Sequence, residues 1–394
     1  MNKFTKYSAF FILFIIFSAC AQPKLKTLPK SFQTGSEQID KYLPLLKGKK
    51  VALVVNHTSV VGKTHLADTL LALGINIKTI FAPEHGFRGT ASAGEHVANN
   101  IDSKTGIPLI SLYGKTKKPT TAHLADIDIV IFDIQDVGVR FYTYPTTMHY
   151  VMEACAENNK KMLVLDRPNP MGHIIDGPIL DKKYRSMVGW NPTPVLHGLT
   201  IGELALMING QGWLEGNRKC DLTVIENKDY SHKMRYVLPI APSPNLPNQQ
   251  SINLYAALCL FEALDASIGR GTDMQFQVIG SPDPAFGKFS FTPEDKPGAI
   301  NPVLEGKNCF GIDLRKVDSE NIGFSLKYVI DFMNKSKDKN KYIVLPTHFD
   351  RLAGNDILRK QLLAGLSEKA IRATWKNDLD IYKKMRLKYR IYAD

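Results

Sequence analysis

The stretch that most constrains the fold is Ile129 to Thr147, IVIFDIQDVGVRFYTYPTT. It begins with Ile129-Val130-Ile131-Phe132, an unbroken apolar run rich in β-branched residues. A run this short with no polar alternation reads as a strand buried on both faces, the pattern of a parallel sheet. Asp133, Gln135, Asp136 and Arg140 follow closely, then Tyr142 and Tyr144. A buried strand that ends in charges and aromatic hydroxyls puts those groups at the carboxyl edge of the sheet. That edge is where open α/β sheets bind ligands. A plainer account, with Asp133 capping the strand and Arg140 paired to Asp136, stands beside the functional one.

Other stretches repeat the design. Val51 to Val55 is a buried strand that runs into Asn56 and His57, and Thr64 to Leu73 reads as the helix after it, stopped by Gly74. Ile77 to Phe81 ends in Pro83-Glu84-His85-Gly86-Phe87-Arg88-Gly89, a shaped loop followed by Glu95 and His96. Pro108 to Tyr113 is a third strand, and Met162 to Leu165 ends in Asp166-Arg167-Pro168-Asn169. Buried strands that repeatedly end in polar clusters imply a doubly wound domain with a cleft along one edge. No G-x-G-x-x-G follows the first strand, which argues against a dinucleotide enzyme. Gly62-Lys63-Thr64 imitates the end of a P-loop, but His57 stands where its first glycine belongs.

Beyond Pro170 the sequence becomes rich in loops. Thr200 to Gly210 reads as a helix with Thr200 and Glu203 as a capping box, so Glu203 is assigned to structure. Asp221 to Glu226 is a further strand. Ala241 to Pro247, with three prolines, suits a rigid segment between domains. The chain then restarts, with a helix over Ser251 to Leu264, strands over Gln275–Ile279, Cys309–Leu314 and Tyr342–Leu345, a helix over Gly323–Asn334 and basic helices to the end. The expected organisation is therefore α/β: a Rossmann-like parallel-sheet domain over 51–250, a smaller α+β domain over 251–394, and an active-site cleft between them.

With 394 residues, 44% of them hydrophobic and 22% charged, the chain can build two such cores. Lys3 and Lys6 precede a nine-residue apolar run, Ala9 to Phe17. That is too short to span a bilayer and reads as a signal peptide over residues 1–19, with 20–50 as tether and lead-in. Ser18-Ala19-Cys20 permits lipidation at Cys20, making the chain a periplasmic or outer-membrane lipoprotein held to the membrane by a lipid anchor. Cleavage before Gln22 is the rival; both imply export. There is no C-x-x-C pair to bind metal. The net charge is +12, but the lysines are scattered and no nucleic-acid motif appears. An anionic envelope polymer is the expected partner.

Hydrolysis of a glycosidic bond needs a protonated acid at the leaving oxygen and, in most enzymes, a second carboxylate across the bond. Glu84 suits the acid, on a loop fixed by Pro83 and Gly86, with Phe81 and Phe87 as an apolar wall. Asp133, Asp136 and Glu95 are candidates for the second role. A histidine–carboxylate metal site is the competing arrangement, but neither H-E-x-x-H nor H-x-H spacing supports it. No G-x-S-x-G elbow marks a serine hydrolase. In Ser267 to Asp273, SIGRGTD, Arg270 between two glycines is placed to clamp a carboxylate.

Together APEHGFRG, the AGE of Ala93 to Glu95, IVIFDIQDVGVRFYTY, LVLDRPNPMG, HGLTIGELA, PSPNLP and SIGRGTD resemble the NamZ-type exo-β-N-acetylmuramidases, from about Val51 to the C-terminus. The family's E-G-T-N stands here as Glu262-Ala263-Leu264-Asp265. The resemblance implies a Rossmann-like domain, a smaller second domain and a cleft between them. It implies release of N-acetylmuramic acid from the non-reducing end of peptidoglycan fragments, in cell-wall turnover and recycling, with no cofactor. Muramic acid carries a lactyl carboxylate, which gives an exposed arginine a purpose, and an acetamido group that could itself attack the anomeric carbon. Asn56, His85, Arg88, Arg140, Tyr144, Asp166, Arg167, Asn169 and Arg270 are then the expected substrate contacts. A muropeptide-binding lipoprotein without catalysis and a metal-dependent hydrolase are the alternatives.

Overall fold

The computed structural model describes residues 25–87 and 100–394. Six parallel strands form the main sheet: β1 (Lys50–Val55), β2 (Asn76–Ala82), β3 (Pro108–Ser111), β4 (Ile129–Asp133), β5 (Lys161–Leu165) and β6 (Asp221–Ile225). Their order is 6-5-4-1-2-3, and a short strand, Asn100–Ile101, pairs antiparallel on the outer edge of β3. This is the doubly wound order, with its switch point between β1 and β4. Side chains along these strands divide cleanly between two cores. Val51, Leu53, Val55, Ile129, Ile131, Leu163 and Leu165 face one, while Ala52, Val54, Val130, Phe132, Met162 and Val164 face the other. That alternation is why the runs read as continuously apolar: both faces are covered.

Helices α1 (Leu66–Ala72), α2 (Tyr144–Glu157) and α3 (Ile201–Gly210) lie in the connections after β1, β4 and β5. The Thr200–Glu203 capping box forms as expected. Glu203 is fully buried and also accepts the backbone N–H groups of Ile391 and Tyr392, so its role is structural.

The C-terminal part begins with α4 (Gln249–Leu258), capped by Asn248, which tightens into a 3-10 turn over Cys259–Ala263. A three-stranded antiparallel sheet follows, with β7 (Val278–Ser281), β8 (Phe289–Phe291) and β9 (Cys309–Asp313) in the order 7-9-8. Then come α5 (Lys327–Lys335), α6 (Pro346–Ala353), α7 (Ile357–Leu363), α8 (Glu368–Thr374) and α9 (Lys376–Arg386). The strand expected at Tyr342–Leu345 is absent. Lys339–Tyr342 is a helical turn, Ile343 makes only an isolated bridge to Leu264, and Pro346 opens α6 at the first helical position. The end of the chain returns to the first unit. Tyr382 Oη donates to the His197 carbonyl at 2.9 Å, and Arg386 to the Gly198 carbonyl. One hydrophobic core runs from β4 and α2 through α4 to Trp375 and Tyr382. No helix among the described residues is long and apolar enough to cross a membrane.

Candidate active site

A cavity of about 310 Å³ opens between the two units. The first unit lines it with Glu84, His85, Tyr113, the Phe141–Thr143 stretch and the Ser243–Leu246 segment. The second lines it with Tyr255, Cys259, Glu262, Arg270, Phe276 and His348. The expected cleft is present, and Glu84, His85 and Arg270 line it.

Glu84 leaves the end of β2 in a tight turn closed by Gly86 N–H to the Pro83 carbonyl at 3.0 Å. His85 has φ 68° and Gly86 φ 73°. A left-handed non-glycine residue costs about 1–3 kcal/mol, and such strain concentrates at functional sites. The turn aims the Glu84 carboxyl at Thr143, whose Oγ1 donates to Oε2 at 2.7 Å. Burial, and then the neighbouring Glu84 charge and hydrogen bond, push the Tyr113 hydroxyl well above its ordinary value. Phe81 and Phe87 are not the wall of this site. Phe81 is in the core beside His123, and Phe87 packs edge-on against His65. Phe141, Tyr142 and Tyr113 take that place.

On the facing wall, Arg270 lies between Gly269 (φ 79°) and Gly271 (φ 78°). The glycines make a held loop and not a loose one. A Cβ on Gly269 would meet the Met274 carbonyl oxygen at 2.5 Å, and one on Gly271 the Glu294 oxygen at 2.5 Å. The guanidinium lies over the Phe276 ring, 5.2 Å from its centre, and donates to Glu262 Oε1 at 2.5 Å. His348 Nε2 stands 3.9 Å from Glu262 Oε2. Burial alone would raise the Glu262 carboxyl. The Arg270 charge and its hydrogen bond, with His348 nearby, outweigh burial and hold it at about 2.

The other residues expected to act along the sheet's carboxyl edge are engaged elsewhere. Asp133 is fully buried and takes both Arg167 Nε (2.6 Å) and Nη2 (2.9 Å). Arg167 Nη2 also reaches Ser36 Oγ and the Val60 carbonyl. The crevice that holds a ligand in many doubly wound proteins is therefore plugged by an ion pair. Asp133 and Arg167 hold each other in the framework and do not line the junction cavity, where a catalyst and a substrate contact were expected. Asp166 accepts from Tyr392 Oη (2.6 Å), Thr200 Oγ1 (2.7 Å) and the Gly202 N–H (2.8 Å). Burial raises its carboxyl to about 7 against the pull of those donors. Asn169 ties the Leu199 carbonyl to the Met171 N–H. Asn56 holds Thr58 and donates to Tyr144 Oη at 2.9 Å, which leaves both Asn56 and Tyr144 behind the cavity wall. Asp136 accepts from the Gly138 N–H, and its Oδ1 finds no donor among the described residues. It is buried behind the wall and does not line the cavity.

Arg140 is not paired with Asp136. Its guanidinium donates to the carbonyls of Pro178 (2.7 Å), Thr193 (2.8 Å) and Leu352 (2.9 Å), which clamps α6 onto the first unit. Burial lowers it to about 9. Arg88, Glu95 and Cys20 lie outside the described residues. Among the described residues, the three-ligand group that could hold a metal is Glu153, Glu157 and Glu215, far in sequence from the histidines considered above and already met by Lys118 and Arg218. Glu262, His348, Tyr113 and Thr143 were not expected at the site. For Glu262 a signal existed: Tyr255, Cys259 and Glu262 follow at helical spacing and share one face.

A doubly wound sheet with its switch point filled by an ion pair, and a ligand cavity at the junction with a second unit, defines a two-part α/β scaffold. The cavity has the Glu84 carboxyl on one wall and the Arg270 guanidinium, paired with Glu262, on the other, which suits a polar ligand that carries an anionic group. The comparisons agree with that class and narrow it. The family model for the N-terminal part of the exo-β-N-acetylmuramidase NamZ matches residues 51–250, and that for its C-terminal part matches 253–392. The chain is 38% identical to the peptidoglycan β-N-acetylmuramidase NamZ of Bacillus subtilis (strain 168), over 95% of each chain. Its fold is similar to crystal structures of two DUF1343 family proteins from Bacteroides fragilis. One is 47% identical with a TM-score of 0.85, covering 92% of this chain and 99% of that one. The other is 31% identical with a TM-score of 0.77, covering 94% and 100%. The chain belongs to the NamZ exo-β-N-acetylmuramidase family of glycosidases.

Proposed function

We propose that this protein is an exo-acting glycoside hydrolase that releases N-acetylmuramic acid from the non-reducing end of peptidoglycan fragments. The observation that carries this reading is the junction cavity, with Glu84 on one wall and Arg270 on the other. At about 310 Å³ it is at the small end of ligand sites, which run from ~300 to 1,000 Å³. That size suits one sugar ring. In this reading Glu84 is the catalytic acid. It gives its proton to the glycosidic oxygen as the bond to the anomeric carbon breaks, and water supplies the new hydroxyl. Thr143 and Tyr113 hold the carboxyl in place. Arg270 reads the lactyl carboxylate of the terminal muramic acid. The test is incubation of the purified protein with an N-acetylmuramyl-N-acetylglucosamine disaccharide. Free N-acetylmuramic acid is expected, insensitive to EDTA. Binding of the disaccharide with no release would favour a muropeptide-binding protein, and loss of release with EDTA a metal-dependent hydrolase.

The proposal extends to location. A short apolar run ending in Ser18-Ala19-Cys20 supports an exported lipoprotein that works on wall fragments during turnover and recycling. Mass spectrometry of the mature N-terminus tests it: lipid on Cys20 is expected, and an unmodified start at Gln22 would mean a soluble exported form.

A further inference from the structure

Glu262 faces the cavity but is already occupied. One oxygen takes Arg270 at 2.5 Å, and the other lies 3.9 Å from His348 Nε2. A carboxylate neutralised by a guanidinium is a poor nucleophile and a poor base. It is well suited to another task. Arg270 has a planar fork of five N–H donors, and its single hydrogen bond to a described residue uses one edge of that fork. The Arg270 Cζ stands 5.2 Å from the centre of the Phe276 ring. Phe276 is itself held in the left-handed region, φ 54°. The guanidinium is thus held by a cation–π contact to the ring and by a carboxylate at one edge. About a quarter of the arginine side chain stays accessible, on the cavity wall. His348 is on α6, the helix that Arg140 clamps to the first unit, so the ring beside the second Glu262 oxygen comes from outside its own segment.

We propose that Glu262 and His348 are positioning residues that hold the Arg270 guanidinium with its open edge toward the cavity, so that it reads a carboxylate on the sugar bound there. This rests on the muramidase reading and names the parts that give it its acid specificity. Arginine carries up to ~2 kcal/mol of side-chain conformational entropy, and a fork fixed before binding does not lose it again on binding. Glu262 also holds the arginine away from Glu84. Glu84 is the other carboxylate lining the cavity among the described residues, and a loose guanidinium would seek it.

The experiment compares wild type with the Glu262→Gln, Glu262→Asp and His348→Gln variants on one chromogenic N-acetylmuraminide, as the free lactyl acid and as its lactyl amide. Calorimetric binding of N-acetylmuramic acid and of its lactyl amide runs in parallel, and circular dichroism with thermal melts reports folding. For Glu262→Gln, KM and Kd for the acid should rise about tenfold or more, the size of a charge-assisted hydrogen bond. For the amide they should change less than about twofold, with kcat on either substrate within about threefold. Glu262→Asp should recover part of the loss, and His348→Gln should give a smaller change in the same direction. Two results would overturn the proposal. One is a kcat loss on the order of a hundredfold on both substrates at unchanged KM, which would put Glu262 in bond breaking. The other is equal weakening of acid and amide, which would make it a shape residue only. Failure of the underlying reading looks different: wild type would release no N-acetylmuramic acid at all. If the Glu262→Gln variant does not fold, the His348→Gln variant carries the same acid-against-amide comparison, and no difference there refutes the bracing.

Discussion

Asp133→Asn separates framework from chemistry at the plugged switch point. In the native protein the Asp133 carboxylate is fully buried and meets Arg167 through two hydrogen bonds, 2.6 and 2.9 Å. Asparagine keeps the volume but replaces one acceptor by an NH₂ that faces a donor. It also leaves the Arg167 charge buried with only Ser36 Oγ and the Val60 carbonyl. Removing one partner of a buried pair costs about 3–5 kcal/mol, because the other charge is stranded. With roughly 2–4 °C per kcal/mol for a unit of this size, the melting temperature should fall by roughly 6–20 °C. Urea unfolding followed by circular dichroism measures the first quantity and a thermal scan the second. The variant that remains folded at 25 °C should keep kcat within a few-fold, since Asp133 does not line the cavity. The double change Asp133→Leu with Arg167→Met should recover much of the lost stability, because an apolar pair of similar volume strands no charge. If Asp133→Asn keeps wild-type stability to within about 1 kcal/mol and loses kcat a hundredfold, the reasoning is wrong and Asp133 belongs to the reaction.

Other expectations follow from the cavity itself. Glu84→Gln should lower kcat by roughly 10²–10⁴-fold and leave affinity for the product intact, as loss of a general acid does; near-normal turnover of a substrate with a poor leaving group would remove Glu84 from that role. Gly269→Ala forces a Cβ to 2.5 Å from the Met274 carbonyl at φ 79°, so it should cost stability by calorimetry and weaken binding of acidic substrates more than neutral ones. The Glu262 carboxyl is lowered from its ordinary 4.5 to about 2. Its contribution to stability is therefore present above about pH 4.5 and is lost as pH falls through about 2. The difference in unfolding free energy between wild type and the Glu262→Gln variant should be flat from pH 7 to 5 and shrink below 4.5; a difference that grows on acidification would contradict the ion pair.

The strands were legible because each had to be apolar on both faces. Val51, Leu53 and Val55 serve one core while Ala52 and Val54 serve the other. The Thr200–Glu203 cap was legible because its partners are three residues apart. The site was less so, because its polar groups pair over long separations. Asp133 ends one strand in a charge, and nothing local reveals that Arg167, at the end of the neighbouring strand, comes to meet it. Arg140 lay seven residues beyond Asp133 and looked ready for a ligand, yet its acceptors are backbone carbonyls near residues 178, 193 and 352. Carbonyls have no signature in a sequence. His348 reached the cavity from α6, just where a strand was expected over Tyr342–Leu345, and Pro346 was the sign that a helix was about to begin.

The plugged switch point and the junction cavity belong to one design. In a doubly wound sheet the ends of β1 and β4 diverge and leave a crevice that a ligand can fill. Here Arg167 and Asp133 fill it, and Asn56, Thr58 and Ser59 fasten the two strand ends, with Gln135 N–H donating to Thr58 Oγ1 at 3.0 Å. The ligand site must then be assembled elsewhere along the same edge. The end of β2 supplies Glu84, but a single sheet edge offers only one wall. The second wall comes from the unit beyond residue 250, held in place by the Arg140 clamp on α6, while the Tyr142 Oη bond to the Pro242 carbonyl at 2.8 Å fastens the 241–247 segment of the first wall.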